Sequence, residues 1–432
     1  MIYVYVNYVP NLFGIKFFVA SWIPNKKRII DMNVKEQFDI IKRGTVHLVP
    51  EDLLLQKLER SLREKRPLRI KYGADPSAPD LHLGHAVCFH KLKEFQDLGH
   101  QVIFVIGDFT ARIGDPTGRS ETRRPLSEEQ VRQNAATYME QVYLLLDRSR
   151  TQVVYNNDWL GRLNMAQILK LTSCFTVARM LERDDFSKRF KAEVAIGVHE
   201  FLYPVMVAYD SVHLQADVEL GGSDQYFNFL AGRELMQELG QEPQVCLTLP
   251  ILVGTDGVQK MSKSLGNYIA IKDSPTEMFG KTMSIPDAAI GDYARLAAFY
   301  DDEKLREMER RLKADNPREV KAEIARQIVS LYHGPDKARS AQEEFDRVFK
   351  KGGLPDQIAV VKLASSPVWI VKLLVAGGIA GTNSEARRLI RQGAVYLDQE
   401  RVSDDSLEVN PRDGMILKAG RQFRRLEVEN GS

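Results

Sequence analysis

Two histidines, His82 and His85, and the glycine between them, Gly84, are the first residues whose types and spacing suggest chemistry. They follow an apolar run over 68–72 and a turn, and a helical pattern then continues to residue 98. Imidazole N–H groups at the start of a helix donate hydrogen bonds to phosphate, and glycine there lets a nucleotide approach the backbone. Histidines at this spacing are also common on ordinary helix surfaces, so the pair alone leaves both interpretations open.

A second reactive group lies in the middle of the chain, in the sequence KMSKS. Lys260, Lys263 and Ser264 stand in a glycine-rich loop over 254–266 that follows an apolar run over 245–253. A cationic loop of this kind suits a polyphosphate, although alone it could be a solvated turn.

The elements between these groups predict a parallel sheet. A strand over 68–72, a helix from an Asp80 N-cap to Gly99 and a strand over 102–106 form a unit whose strands run parallel and bind ligands at their ends. A later strand over 217–220 leads to GGSDQ, where Gly222 permits close backbone approach. Asp224 there could bind ribose hydroxyls or act as an N-cap, and Gln225 could contact a substrate carboxyl group.

Composition limits the remaining possibilities. The chain has 432 residues, 44% of them hydrophobic and 27% charged, which is ordinary globular composition with room for two or three domains. A net charge of +2 excludes nucleic-acid binding by global attraction. Three cysteines without CxxC spacing predict thiols in a reducing cytoplasm and no zinc site. No run reaches the roughly 18 apolar residues of a membrane span.

The chain divides by pattern into five parts. We expect residues 1–31 to lie outside the fold, with translation of the native protein beginning at Met32 as one hypothesis. Residues 32–285 carry the sheet, 286–350 form a charged helical stretch, and 351–366 form a linker. Residues 367–430 form a small α+β unit in which Arg387, Arg388 and Arg391 share a helix face.

Taken together, the histidine motif and KMSKS on a parallel-sheet pattern resemble the class I aminoacyl-tRNA synthetases. Along residues 34–428 the chain resembles the bacterial tyrosyl-tRNA synthetases that spell their second motif KMSKS, through YPVMVAYD followed by GGSDQ. The end of the chain resembles an S4-type RNA-binding domain through SEARRLIRQGAVYLD. The resemblance implies an α/β fold: a Rossmann-type catalytic domain with a helical dimer-forming insertion, a helical anticodon-side domain and an S4-like α+β domain.

The resemblance also implies substrates and partners. They are L-tyrosine, ATP and tRNA(Tyr), in a cytoplasmic homodimer that forms tyrosyl-adenylate and then charges the tRNA. Magnesium would travel on the nucleotide, since no carboxylate cluster suggests a metal held by the protein. Attack by an ionised carboxylate needs no general base, so positioning and charge stabilisation should dominate.

By the same correspondence, each candidate residue takes a role. His82, His85 and Ser77 would donate to phosphate oxygens, and Lys260, Lys263 and Ser264 would close over pyrophosphate. The remaining residues would bind ATP (Gly84, Gly222, Asp224), the substrate ammonium (Asp115, Tyr203), its carboxylate (Gln225), its phenol hydroxyl (Asp210, oriented by Asn156) and tRNA (Arg387, Arg388, Arg391). Asp210 could otherwise be a capped or salt-bridged helix residue.

Two positions depart from the family pattern. Members commonly have glutamine where Val207 stands, and many have a tyrosine that contacts the phenol hydroxyl where Lys71 stands. Two other activities also fit parts of the chain: tryptophanyl-tRNA synthesis, which shares fold and motifs, and RNA binding without catalysis. Asp210 favours tyrosine, and the presence of every histidine and lysine of the two motifs favours catalysis.

Overall fold

The computed structural model describes residues 32–76, 80–116, 127–314, 316–350, 353–355, 358–420 and 422–429. The chain forms two compact units, and the division falls after Ala341. The predicted extension over 1–31 and the candidate residue Ser77 lie outside the described residues.

A six-stranded sheet forms the centre of the first unit. Its strands are β1 (His47–Val49), β2 (Arg69–Ala74), β3 (Gln101–Ile106), β4 (Thr151–Tyr155), β5 (Val218–Gly222) and β6 (Val245–Leu249), in the order β1-β6-β5-β2-β3-β4. All neighbouring strands are parallel except β1, which is antiparallel to β6. The predicted parallel pairing of the first two motif strands, β2 and β3, is therefore confirmed. The chain order reverses between β2 and β5, and such a switch point opens a ligand crevice at the carboxyl ends of the strands.

Among the described residues, sixteen α-helices belong wholly or partly to this unit. They are α1 (Val34–Lys42), α2 (Glu51–Glu64), α3 (Leu83–Asp97), α4 (Thr110–Ile113), α5 (Glu128–Val142), α6 (Asn157–Leu160), α7 (Met165–Thr172), α8 (Val177–Met180), α9 (Asp184–Lys191), α10 (Leu202–Leu214), α11 (Tyr226–Glu238), α12 (Pro275–Met283), α13 (Ile290–Leu296), α14 (Asp302–Ala314), α15 (Pro317–His333) and α16 (Pro335–Lys350). Buried apolar side chains of α10 and α11 pack with Ile103 and Val105 of β3, so these helices cover the sheet.

The helix that carries the histidines begins later than the sequence indicates. Its N-cap is His82 rather than Asp80, and the His82 N–H donates to His85 Nδ1 at 3.2 Å. The reason is a short pairing with a distant segment: Leu83 N donates to Ile269 O at 3.0 Å, and Ile271 N donates to Leu81 O at 2.9 Å. This pairing keeps residues 81–83 extended, and a contact over that sequence distance leaves no local signal.

Among its described residues, the second unit contains a five-stranded sheet, a two-stranded sheet, the end of α16 and two further α-helices. Its elements are β7 (Ala359–Ala364), β8 (Val368–Trp369), α17 (Ile370–Ala376), α18 (Asn383–Arg391), β9 (Val395–Leu397), β10 (Glu400–Arg401), β11 (Glu408–Val409), β12 (Ile416–Ala419) and β13 (Gln422–Glu429). The sheet order is β10-β9-β12-β13-β7, and Leu374, Ile390, Leu417 and Leu426 lie in a core shared by helices and sheet.

Two predicted boundaries need correction. The linker predicted over 351–366 is wrong for β7, which pairs in parallel with β13 at the edge of the second sheet. The proline and glycine before β7 indicated a linker, and the strand that pairs with β7 is about sixty residues away in sequence. The predicted boundary after residue 285 does not separate two compact units, because α15 packs against α12 and joins the helical stretch to the first unit.

Candidate active site

A cavity of about 1660 Å³ opens where β2 and β5 end. It exceeds the roughly 300–1,000 Å³ of a typical small-ligand pocket, so its volume allows more than one small ligand. Every described residue predicted for the catalytic, ATP and amino-acid sites lines it: His82, Gly84, His85, Asp115, Asn156, Tyr203, Asp210, Gly222, Asp224, Gln225, Lys260, Lys263 and Ser264. The structure thus brings two sequence groups that are about 180 residues apart to one cavity.

The two histidines form a neutral pair whose rings lie close together and are tilted by 44°. Their ring centroids are 3.9 Å apart, and a Cβ at Gly84 would lie 3.0 Å from the His82 ring. Burial lowers the pKa of His82 to about 2 and that of His85 to about 4, and nearby Lys263 contributes to both shifts. Because His85 Nδ1 accepts the His82 backbone N–H, the proton of neutral His85 sits on Nε2. The pair therefore offers neutral hydrogen-bond donors at pH 7.

Both lysines of the KMSKS loop are paired with carboxylates across the cavity. Lys260 Nζ lies 3.4 Å from Asp224 Oδ2, and Lys263 Nζ lies 3.3 Å from Asp80 Oδ2. Asn267, which sequence reasoning missed, fixes the loop: its Oδ1 accepts the Ser262 N–H at 2.8 Å. The Asn267 side chain also fills the space beside Gly254, where a Cβ would lie 2.2 Å from it.

Asp224 is itself held by the turn that precedes α11. A Cβ at Gly222 would lie 2.7 Å from Asp224 Oδ1, so glycine is needed for this carboxylate orientation. Asp224 does not cap α11, since Gln225 occupies the N-cap position and no side chain caps that helix. Of the two interpretations offered for Asp224, the N-cap is therefore wrong.

Asp210 lies in the wall of the cavity with donors on both carboxylate oxygens. Asn156 Nδ2 donates to Oδ2 at 3.2 Å, and Trp159 Nε1 donates to Oδ1 at 2.8 Å. Burial raises the pKa of Asp210 to about 6, while Lys71 and the two hydrogen bonds oppose that rise. Trp159 was missed because it lies on a short helix, α6, about fifty residues from its partner.

A second acidic group lines the same cavity. Asp115 accepts from Gln225 Nε2 at 3.1 Å and from Arg183 Nη2 at 3.0 Å. Tyr203 donates not to Asp115 but to Asp75 Oδ2 at 3.0 Å. Arg183 is 4% exposed and comes from the helical insertion, so no local pattern pointed to it.

Comparisons with known proteins agree with this geometry. A family model described as tRNA synthetases class I (W and Y) matches residues 63–350, and the S4 domain model matches residues 368–414. A tyrosine–tRNA ligase of Moorella thermoacetica is 52% identical over 402 residues, which cover 92% of this chain and 97% of that protein. The chain belongs to the tyrosine–tRNA ligase family. It is therefore an aminoacyl-tRNA synthetase, and the predicted family and α/β fold are confirmed.

Further relatives of this synthetase are similar over comparable lengths. The tyrosine–tRNA ligase of Thermotoga maritima is 52% identical over 398 residues, which cover 91% of this chain and 98% of that protein. The crystal structure of a tyrosyl-tRNA synthetase from Archaeoglobus fulgidus complexed with L-tyrosine matches 72% of this chain and 100% of that one, with 28% identity and a TM-score of 0.59.

The two departures from the family pattern lie side by side in this synthetase. Lys71 Nζ donates to Val207 O at 2.9 Å, to Ser211 Oγ at 2.8 Å and to Glu219 Oε1 at 2.7 Å. An ammonium has three protons, so all are used within the protein. Lys71 therefore does not supply the contact to a phenol hydroxyl that many family members make with tyrosine.

The three arginines predicted to share a helix face all lie on α18 and are exposed, and each has a partner. The Arg387 guanidinium lies 5.2 Å from the centre of the Trp369 ring. Arg391 Nη2 lies 3.2 Å from Asp405 Oδ2, and Arg388 Nη2 lies 3.9 Å from Glu385 Oε1. With these contacts, all three side chains stay exposed at the surface.

Over the described residues, no group of three or more His, Cys, Asp or Glu side chains could hold a metal ion. No helix there combines the length and apolar character that crossing a bilayer requires.

Proposed function

We propose that this synthetase activates L-tyrosine with ATP, forming tyrosyl-adenylate and pyrophosphate, and then transfers tyrosine to the 3′ end of tRNA(Tyr). The observation that carries the amino-acid assignment is Asp210, a buried carboxylate held by Asn156 and Trp159 in the wall of the cavity. A buried acceptor left without its hydroxyl partner is costly, so such a pocket favours a phenol over a benzene ring.

In the activation step, the substrate carboxylate attacks the α-phosphorus of ATP and pyrophosphate leaves. His82 and His85 donate hydrogen bonds to the phosphate oxygens as neutral imidazoles, which their lowered pKa values support. Lys260 and Lys263 exchange their carboxylate partners for the departing pyrophosphate, with Ser264 beside them. Ser77 belongs to the same proposal, although it lies outside the described residues.

The other residues of the cavity divide between the two substrates. Gly84 and Gly222 leave space for the nucleotide, and Asp224 binds the ribose once Lys260 has moved to phosphate. Asp115 and Tyr203 bind the substrate ammonium, and Gln225 faces its carboxylate. Magnesium would be carried by the ATP phosphates and would neutralise part of their charge.

Partners and location complete the proposal. Arg387, Arg388 and Arg391 bind tRNA phosphates, which their exposure on α18 and the S4 match support. The enzyme is a homodimer in the cytoplasm. Exposed apolar side chains along the helical insertion support the dimer: Met165, Leu169, Val177, Phe190 and Val198. Sedimentation would measure it.

Amino-acid-dependent pyrophosphate exchange tests the proposal. We expect rapid exchange with tyrosine, negligible exchange with phenylalanine, and none above background with tryptophan. Faster exchange with tryptophan would assign the enzyme to the other branch of its family model. No exchange with any amino acid, in protein that still binds tRNA, would support the non-catalytic alternative.

A further inference from the structure

A buried ion pair in the lining of the cavity joins the two halves of the sheet. Lys71 and Glu219 are paired residues of β2 and β5, the strands between which the chain order reverses. Their side chains are 1% and 2% exposed, and Nζ and Oε1 are 2.7 Å apart. Burying both charges is unfavourable unless the surrounding groups satisfy them.

Those surrounding groups come from α10, the helix that carries Asp210. Lys71 Nζ contacts Val207 O and Ser211 Oγ, so it spans the helical turn that contains Asp210. Ser211 Oγ in turn donates to Glu219 Oε2 at 2.8 Å. The pair therefore fixes one turn of α10 to the junction of β2 and β5.

Glu219, the other member of the ion pair, is held by further contacts. Gln244 Nε2 donates to Glu219 Oε2 at 2.8 Å and to Phe229 O of α11 at 3.1 Å. Gly232 of α11 leaves room for this amide, since a Cβ there would lie 2.6 Å from Gln244 Nε2. Both oxygens of Glu219 are satisfied, and the cluster leaves Lys71 no freedom to turn towards a substrate.

We propose that Lys71 is a positioning residue for tyrosine recognition: paired with Glu219, it holds the α10 turn so that Asp210 meets the phenol hydroxyl as an ionised acceptor. This inference rests on the proposed function of Asp210. It also explains how the pocket works with lysine at a position where many family members place a tyrosine that contacts the hydroxyl directly.

The charges around Asp210 support the electrostatic part of the role. Two charged groups face it from neighbouring strands, Lys71 from β2 and Glu219 from β5. On its own helix, the titratable His213 stacks on the Trp159 ring that donates to Asp210. Burial raises the pKa of Asp210 to about 6, Lys71 is the largest opposing influence, and Glu219 raises it further. Loss of Lys71 alone therefore moves the pKa of Asp210 upward, and loss of both charges moves it less.

Two variants and a matched control test the proposal in the full-length enzyme. Lys71→Met removes the charge at similar length, and the double variant Lys71→Met/Glu219→Gln replaces the ion pair with neutral groups. The control is Lys57→Met: Lys57 is equally buried, its Nζ lies 3.4 Å from Asp217 Oδ1 next to β5, and it does not line the cavity. Tyrosine-dependent pyrophosphate exchange is measured from pH 5.5 to 9, with KM for tyrosine and for ATP at each pH.

We expect Lys71→Met to raise KM for tyrosine at pH 7 at least tenfold, leave KM for ATP within twofold, and move the acid limb of kcat/KM for tyrosine upward by at least one pH unit. In the double variant the acid limb should lie between those of Lys71→Met and the unchanged enzyme. Lys57→Met should lower thermal stability without moving the limb.

The proposal is overturned if folded Lys71→Met keeps the original acid limb, or if its KM for tyrosine changes no more than that of Lys57→Met. If Lys71→Met does not fold, the double variant decides by the same two readouts. If neither folds, the ion pair serves stability and the positioning role is rejected. Failure of the unchanged enzyme to exchange with tyrosine would instead reject the proposed function itself.

Discussion

Trp159 offers a sharp test of the pocket, because its indole N–H is one of two neutral donors to Asp210. The Nε1–Oδ1 distance is 2.8 Å, and Asp210 is 3% exposed. Trp159→Phe removes the donor and keeps an aromatic ring to stack on His213, whose ring centroid lies 4.5 Å away. The change therefore isolates one hydrogen bond to a buried carboxylate.

The size of the effect follows from the charge on the acceptor. Hydrogen bonds to charged groups contribute about 1.5–3 kcal/mol, which corresponds to roughly a 10- to 150-fold change in an equilibrium constant. This is an upper bound for tyrosine binding, because Trp159 donates to Asp210 in the free enzyme as well. The part that reaches substrate binding acts through a misplaced or protonated Asp210, and it should appear in KM for tyrosine with kcat nearly unchanged, because the phenol contact is present in both the ground state and the transition state.

A pH profile adds a second readout with a definite sign. Asp210 is the stronger acceptor for the phenol when it is ionised, and burial raises its pKa to about 6, so kcat/KM for tyrosine is high above that pH and falls as the pH decreases through it. The Trp159 hydrogen bond lowers the pKa of Asp210, so Trp159→Phe should move the acid limb to higher pH.

The assay is pyrophosphate exchange with tyrosine, and the second unit supplies a matched control. Trp369 Nε1 donates to the backbone carbonyl of Asp405 at 2.6 Å, so Trp369→Phe loses an indole hydrogen bond to a neutral acceptor in the S4 domain. It should leave tyrosine activation unchanged. If Trp159→Phe kept KM within twofold of the unchanged enzyme, with the acid limb in place, Asp210 would not be the phenol acceptor.

Four further outcomes are expected. His85→Ala should reduce the exchange rate by about 10²–10³-fold, the effect of removing one preorganised donor to developing charge, and an undiminished rate would exclude the catalytic role. Lys263→Ala should lower kcat for exchange by a similar factor, whereas Lys272→Ala, a partly exposed lysine paired with Glu140, should not; equal losses would contradict the pyrophosphate contact. Val207→Gln should leave kcat intact or lower KM for tyrosine, and a large loss of turnover would count against this geometry. Removal of residues 367–432 should spare adenylate formation and impair tRNA charging, and charging by the full chain should weaken with salt; equal loss of both steps would refute this division.

The elements whose residue pattern is local could be predicted from the sequence. The strands β2, β3 and β5 and the helix α3 were predicted from the sequence, because the strand and helix patterns are properties of neighbouring residues. The candidate site was accessible for a different reason: the carboxyl ends of parallel strands meet at one sheet edge, so motifs distant in sequence converge there.

What the sequence left hidden depends on contacts between distant residues. The N-cap of α3 is set by pairing with residues 269–271, and β7 finds its partner in β13. Trp159, Arg183 and the environment of Lys71 were missed because a single tryptophan, arginine or lysine carries no period and no motif. Lys71 occupies a position where many family members have a tyrosine. Its ion pair with the buried Glu219 joins two different strands, so no local sequence pattern indicated it.

The convergence of the two sequence groups on one triphosphate is tested most directly by a crystal structure with L-tyrosine and a non-hydrolysable ATP analogue. We expect the side-chain nitrogens of His82, His85, Lys260 and Lys263 within hydrogen-bonding distance of the same triphosphate, with both lysines released from Asp224 and Asp80. A triphosphate bound elsewhere, or reached by the histidines while both lysines stayed on their carboxylates, would contradict the account.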